Sequence, residues 1–286
     1  MKRVLIAGKN SYLGESFYKW LGKMPNSYFV QIVDTKNNDW KNLDYSLFDV
    51  VINFAGIAHI KKIKPEMKPL FYSVNCDLAI EMCSLAKAFG VKQFIQLSSM
   101  NVYGEYCDCI TDIDCVNPTN FYGDSKLKGD IGIHSLSSDT FKVASVRPPF
   151  VYGHGCTGNY NSVSKIAKKT IVFPNYSNKK SMIYIDNLCE FLRLLIEDCS
   201  NGFFIPQNKE LVSTSQLVKE IAMVNNKKIW FTRLFNWLLK IGSKHNKLFR
   251  KAFGNDYCSL ELSNCFNWEY DIVSFAESIK LTEGIK

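Results

Sequence analysis

Tyr122 and Lys126 stand four residues apart in Tyr122-Gly-Asp-Ser-Lys126, a spacing that puts both side chains on one face of a helix, one turn above the other. An ammonium so placed stabilises a tyrosinate, whose ordinary pKa near ~10 otherwise leaves the phenol protonated and useless as a base at neutral pH. Ser98 and Ser99 lie upstream, and a serine delivered from another element can hold a substrate hydroxyl while the tyrosine takes its proton. That set is equipped for hydride chemistry at a carbinol carbon. Tyr-x-x-x-Lys alone is a common pattern, so its weight comes from the elements that must position it.

Those elements begin at the first residues. Lys2 to Ala7 is a short buried-strand pattern that ends in Gly8, followed by Lys9-Asn-Ser-Tyr-Leu-Gly14 and a helical stretch through Leu21. A strand, a tight turn and a helix N-terminus in that order make an anion site, because free backbone N–H groups and the helix dipole point at the phosphates. Gly8, Ser11, Tyr12, Leu13 and Gly14 are therefore cofactor-binding candidates, with Ser11 where a second glycine is commoner. The next strand, Tyr28 to Val33, ends in Asp34. An acid roughly 20 residues past the glycine turn is placed to bind a ribose 2′-hydroxyl. A third strand is expected over 49–56 and a helix from about Pro69 to Phe89, stopped by Gly90. A strand over 91–97 completes the series. Alternating strands and helices at crossover spacing predict an α/β protein, a Rossmann-type doubly wound parallel sheet with a smaller C-terminal substrate lobe. The boundaries expected are a dinucleotide-binding domain over 1–155, completed by about 182–205, and a lobe of 156–181 and 206–286.

Composition narrows the class. With 286 residues, 47% hydrophobic and 22% charged, the chain can bury one large core. No stretch approaches the ~18 apolar residues of a spanning helix, and Met1-Lys-Arg leads straight into a strand, so cytoplasm is the expected compartment. Ten cysteines then read as reduced thiols. Cys107-Asp-Cys109 with Cys115 lacks the second ligand pair of a zinc site, so no metal is expected. The net charge of +8 suits an anionic ligand, and no nucleic-acid motif accompanies it.

With these pieces placed, the chain resembles the extended short-chain dehydrogenases/reductases, specifically the NAD-dependent epimerase/dehydratase group that acts on nucleotide sugars. The resemblance rests on Gly8-x-x-Ser-x-x-Gly14, Asp34, Asn53-Phe-Ala-Gly56, Val74-Asn75, Phe94 to Gly104, Pro118 to Lys126, Val146 to Gly153 and Met182 to Asn187, in the family's order. It implies Tyr122 as the acid/base and Lys126 as the residue that binds the nicotinamide ribose and lowers the pKa of Tyr122. Counting four back from Tyr103 makes Ser99, not Ser98, the holder of the reacting hydroxyl. NAD is the implied cofactor, passed by Phe54, Ala55 and Gly56, with Pro148 where the family's backbone meets the carboxamide. Asn75 resembles a strand-bracing asparagine.

The resemblance also implies substrate residues. Gly153 to Val172 is similar to the loop and helix that wrap the nucleotide diphosphate, with Asn159 a contact, and Val172-Phe173 to the strand that holds the base. Lys180 stands where the family has a diphosphate-clamping arginine; it keeps the charge and loses the bidentate fork. His59 falls near the sugar end of the cleft. The family habit is a homodimer.

The implied reaction is reversible oxidation at C4 of a UDP-hexose or UDP-N-acetylhexosamine, a 4-epimerisation that serves surface polysaccharide precursors. The alternatives are an NAD(P)H-dependent reductase of a UDP-4-keto-6-deoxy sugar, and a non-catalytic NAD(P) sensor. A 4,6-dehydratase needs an acid and a base directly after its Ser or Thr, and Met100-Asn101 stand there. One segment fits none of this: Lys227 to Lys251 carries eight Lys or Arg, no acidic residue and many apolar and aromatic side chains. Two readings stand, a substrate-lobe helix packed inward and peripheral membrane contact.

Overall fold

A computed structural model gives the fold, and it describes residues 1–58, 64–105, 107–234, 236–264 and 268–285. In chain order the first elements are β1 (Lys2–Ala7), α1 (Tyr12–Leu21), β2 (Tyr28–Val33), β3 (Val50–Asn53), α2 (Lys68–Tyr72) and α3 (Leu78–Ala88). Then come β4 (Gln93–Leu97), β5 (Asp108–Ile110), α4 (Phe121–His134), β6 (Lys142–Val146), β7 (Phe150–Tyr152), α5 (Asn159–Lys169), β8 (Val172–Pro174) and β9 (Met182–Tyr184). The last are α6 (Ile185–Asp198), β10 (Gly202–Phe204), α7 (Thr214–Val224), β11 (Trp230–Thr232), α8 (Asn236–His245), α9 (Lys247–Phe253), β12 (Asp256–Cys258) and α10 (Phe275–Glu283).

Two compact units result. The first comprises Met1–Gly104, Ile113–Pro148 and Leu188–Pro206; the second comprises Glu105–Asp112, Pro149–Asn187 and Gln207–Lys286. Sequence placed the first boundary at residue 155, whereas the first unit runs to Pro148, and 105–112 goes with the second unit.

The first unit is built on a six-stranded sheet in the order β10-β6-β4-β3-β1-β2, every pair parallel. Register aligns Ile32, Ile6, Ile52, Ile95 and Ala144 in one row across five strands. Such a row forms because strands covered on both faces read as near-continuous apolar runs rather than alternating ones. Val4 to Ala7 and Val51 to Asn53 are accordingly buried. On one side Leu5, Val51, Phe94 and Val143 pack against Ala79, Met82, Cys83 and Ala86 of α3. The helix expected over about 69–89 is not uniform. A π-helical turn, Ser73–Asp77, separates α2 from α3 and buries Asn75 and Cys76. A π-turn inserts one residue without breaking the helix path, so apolar periodicity alone does not show it.

Among its described residues the second unit has three two-stranded parallel ribbons, β7 with β9, β8 with β11, and β5 with β12. Polar side chains tie it together. Asn187 Nδ2 donates to Asn208 Oδ1 at 3.1 Å and to the Val273 carbonyl at 3.0 Å, and Gln207 Nε2 donates to Ser263 Oγ at 2.7 Å. Tyr152 stacks on Tyr160 with ring centroids 5.7 Å apart, and Tyr160 donates to Glu283, which also pairs with Lys168 at 2.6 Å. The basic segment is not one helix: after the ribbon strand β11, α8 ends and α9 begins at Asn246, whose side chain caps α9 by accepting from Leu248 N at 2.8 Å.

Candidate active site

The sequence pattern at the N-terminus folds into a glycine turn that leads into the capped N-terminus of α1. Gly8 sits at φ +125°, and a Cβ there would lie 3.0 Å from Phe54 Cβ and 3.2 Å from the Ala55 nitrogen. Only glycine fits both the conformation and the space. Ser11 is the N-cap of α1, with Oγ accepting from Gly14 N at 3.0 Å. The helix amides of Tyr12 and Leu13 follow that cap. Asp34 closes β2 and accepts from the Lys36 amide at 2.9 Å through Oδ1. Phe54 N donates to the Ala7 carbonyl at 2.8 Å and Ala55 N to Asn53 Oδ1 at 2.9 Å, which fixes the second turn beside the first. A glycine cradle, a helix N-terminus and a strand-end acid fit a dinucleotide.

Ser99, Tyr122 and Lys126 come together in this unit. Ser99 starts the 3₁₀ turn Met100–Tyr103 at the end of β4. Its Oγ accepts from the Asn101 amide at 3.2 Å and from Asn101 Nδ2 at 3.1 Å. Two donors on one oxygen leave the hydroxyl hydrogen for a third partner, and the Ser99 hydroxyl acts on the Tyr122 phenol by opposing the rise in its pKa. Contact between turn and helix depends on Gly123, where a Cβ would stand 2.3 Å from the Asn101 carbonyl oxygen. Asn120 caps α4 by accepting from Gly123 N at 2.9 Å, so the tyrosine falls in the first helical turn.

Lys126, one turn on, is 4% exposed. Its Nζ donates to the Leu97 carbonyl at 2.8 Å, and a Cβ on Gly56 would lie 2.8 Å from that Nζ. Burial pulls the ammonium down to about 8, with Asp130 opposing. Burial pushes the Tyr122 phenol up, and the Ser99 hydrogen bond opposes that. Burial thus draws the two groups apart in proton affinity, holding the phenol neutral and making the ammonium easier to discharge. Asn75 braces the floor, accepting from Ile57 N at 2.8 Å and donating to Ser125 Oγ at 3.0 Å.

Sequence reasoning missed what lies beneath. Asp130, a further turn along the face of Tyr122 and Lys126, is buried and pairs with Arg147 Nε at 3.0 Å. Ser98 Oγ donates to the same carboxylate oxygen at 2.9 Å, and Arg147 Nη1 donates to Tyr103 Oη at 2.8 Å. Burial pushes the Asp130 carboxyl up while Arg147 and Ser98 oppose. The missed signal was the spacing 122, 126, 130, which sets three polar side chains on one helix stripe. Pro148, next to Arg147, accepts the Met100 amide at 3.1 Å, which ties the serine turn to the end of β6.

Three remaining candidates belong to the second unit. Asn159 is the first residue of α5 in the second unit. Phe173 is buried against the rings of Phe231 and Phe253, at 6.2 and 6.0 Å, so its side chain belongs to that unit's core. Lys180 is bridged by backbone to Val212 and Asp256. Burial lowers its pKa and the Asp256 carboxylate opposes. His59 lies outside the described residues. Among the described residues no group of His, Cys, Asp and Glu could hold a metal ion.

A parallel-sheet dinucleotide fold carrying a Ser-Tyr-Lys set is the build of an extended short-chain dehydrogenase/reductase. The chain belongs to the NAD-dependent epimerase/dehydratase family, whose model matches residues 8–203. It is 28% identical over 281 residues to a UDP-glucose 4-epimerase of Vibrio cholerae, covering 88% of this chain and 83% of that one. It is 26% identical over 245 residues to an N-acetyl-alpha-D-glucosaminyl-diphospho-ditrans,octacis-undecaprenol 4-epimerase of Escherichia coli O157:H7, covering 79% and 73%. In fold it is similar to the crystal structure of a UDP-glucuronic acid 4-epimerase from Bacillus cereus in complex with NAD, with a TM-score of 0.75 at 15% identity over 99% and 97% of the two chains. The protein is thus an NAD-dependent enzyme of the sugar epimerase and reductase kind.

Proposed function

We propose that this enzyme is a cytoplasmic 4-epimerase of a UDP-hexose or UDP-N-acetylhexosamine that feeds surface polysaccharide synthesis. The observation that carries the reading is Tyr122, acted on by the Ser99 hydroxyl, on one face of α4 with buried Lys126. NAD would be held by Gly8, Ser11, Tyr12, Leu13 and Gly14 at its phosphates, by Asp34 at a ribose, by Phe54 to Gly56 and Lys126 at the inner end, and by Pro148 at the carboxamide. When bound, it supplies a reversible hydride acceptor for a carbinol carbon.

The chain's own residues manage the proton. Ser99 donates to the reacting O4 and Tyr122, as phenolate, takes the O4 proton; the same phenol returns it after the sugar has turned over. Lys126 keeps a positive charge near the phenolate, which offsets the burial that otherwise favours the neutral phenol. Met100 and Asn101 supply no acid–base pair for dehydration. Asn101 holds Ser99 instead.

Lys180 and Asn159 are proposed diphosphate contacts, and the backbone of β8 holds the base, since the Phe173 ring is committed to packing. Asp34 favours NAD over NADP because a carboxylate beside the ribose accepts from a 2′-hydroxyl and repels a 2′-phosphate. That preference supports an epimerase, which recycles one cofactor, over a reductase that consumes NADPH. The enzyme is expected to form a homodimer, as the family habit is.

Stoichiometry tests the reading. Purified enzyme given UDP-glucose or UDP-N-acetylglucosamine is expected to yield the C4 epimer by NMR with no added reductant. A requirement for one NAD(P)H per product would replace the epimerase with a 4-ketoreductase.

A further inference from the structure

The cation-rich segment that sequence left with two readings folds into a surface of unusual composition. Helices α8 and α9 form a hairpin in which the Phe249 ring covers Gly242, 3.2 Å from where a Cβ would be. The hairpin is fastened at its ends. Asn236 Nδ2 donates to the Asn175 carbonyl at 2.8 Å, Asn178 Nδ2 to the Gly254 carbonyl at 3.0 Å, and Phe253 packs on Phe173 and Tyr176. Inward, Leu239 is buried. Outward, Leu234, Trp237, Leu238, Ile241, Leu248 and Phe249 are all exposed, Trp237 at 62% and Leu248 at 77%. Trp230 of β11, 77% exposed, and its register partner Val172 on β8 are further exposed apolar residues of the same unit.

Large apolar side chains that cluster unpartnered on a folded surface mark a binding face. Here they alternate with cations. Lys227, Lys228, Arg233, Lys240, Lys247 and Arg250 are exposed among them, and no Asp or Glu occurs from Lys227 to Asn255. No salt bridge among the described residues engages these cations. The combination selects one partner. A second copy docked through the same face would bring like charges together, because a two-fold contact presents the same patch from both sides. A nucleic-acid backbone would engage the cations and leave leucine and isoleucine in water. An anionic lipid surface satisfies both at once: the apolar side chains enter the headgroup–acyl boundary, and lysine and arginine pair with lipid phosphates.

We propose that α8, α9 and β11 form a peripheral docking surface for an anionic lipid bilayer. The interaction is interfacial, since no helix among the described residues is long and apolar enough to cross a membrane. The proposal stands independently of which sugar the enzyme turns over.

Vesicle flotation of the full-length protein tests it. Phosphatidylcholine vesicles are compared with vesicles carrying about 30 mol % phosphatidylglycerol, at about 0.05 M and about 0.5 M salt. The expected result is about ten-fold or more greater recovery with anionic vesicles at low salt, lost at high salt, with a blue shift of tryptophan emission. Trp237→Glu with Leu248→Glu, and separately Lys240→Glu with Arg250→Glu, should abolish flotation while leaving NAD binding and turnover of a water-soluble substrate unchanged. Recovery equal on neutral and anionic vesicles overturns the proposal. So does absence of flotation, including the case where sedimentation instead shows a concentration-dependent dimer that the same substitutions dissociate.

Discussion

The two units hold their polar groups in opposite ways. In the first, Arg147, Asp130, Ser98 and Tyr103 are buried and bonded to one another. In the second, buried amides and a tyrosine pair stitch short ribbons together, while apolar side chains and unpaired-sign cations face outward. The contrast teaches where precision is needed. On the proposed function, a unit that holds a proton-transfer set at fixed separation gains from shielding its ionic supports from water, whereas a unit proposed to meet a large ligand or a surface tolerates a loosely braced exterior.

The comparison breaks first at Tyr122. Tyr122→Phe is expected to lower kcat by about 10³-fold or more while NAD binding stays within about two-fold, measured by steady-state kinetics and calorimetry. A variant that keeps a tenth of its activity removes Tyr122 from the base role.

The next effect is on stability. Arg147→Met leaves the Asp130 carboxylate buried without its counter-charge and is expected to cost about 3–5 kcal/mol by urea unfolding. Arg147→Met with Asp130→Leu should recover most of that loss. If the single and double variants unfold alike, the pair is not what supports the floor.

Lys126 sharpens the same point by pH. Its folded value of about 8 lies below an ordinary lysine's 10.5, so between these values the unfolded chain holds a proton the folded chain has released. This group's contribution to stability therefore rises with pH across that window and is flat below about 8. Lys126→Met should remove the rise, seen as the difference between the two proteins' urea midpoints from about pH 7 to about pH 11, a range that spans the shift. Parallel pH profiles would contradict it.

The smallest effect belongs to the second unit. Lys180→Ala is expected to raise KM for a UDP-sugar by about three- to ten-fold with kcat nearly unchanged, since a diphosphate contact remote from C4 binds ground and transition states alike. An unchanged KM places the diphosphate elsewhere.

Much of the first unit was legible because its signals are local. Gly8, the strand runs and the four-residue step from Tyr122 to Lys126 each follow from backbone geometry or helical period. What escaped notice depends on distant partners. Asp130 and Arg147 are 17 residues apart and look like ordinary helix and strand-end charges until folding joins them. Asn101 was notable in sequence only for not being an acid, and its grip on Ser99 needs the 3₁₀ turn to exist. In the second unit the strands are three residues long, too short for alternation to register. The break at Asn246 is a side-chain cap that apolar and cationic composition could not reveal.

The π-turn at Ser73–Asp77 works as a phase setting. An α-helix advances about 100° per residue, so the one residue it inserts decides which way α2 faces relative to α3. In the present phase Phe71 meets the Tyr122 ring edge-on with centroids 6.4 Å apart, and Tyr72 hydrogen-bonds Asp124 on the first turn of α4. Deleting one residue from the turn would leave α3 seated in the core and swing both aromatic side chains off α4. The protein would keep its fold by far-ultraviolet circular dichroism and lose activity, whereas equal activity would show that the orientation of α2 has no hold on Tyr122. Helical phase, rather than any contact with substrate, would then be what this stretch of chain contributes.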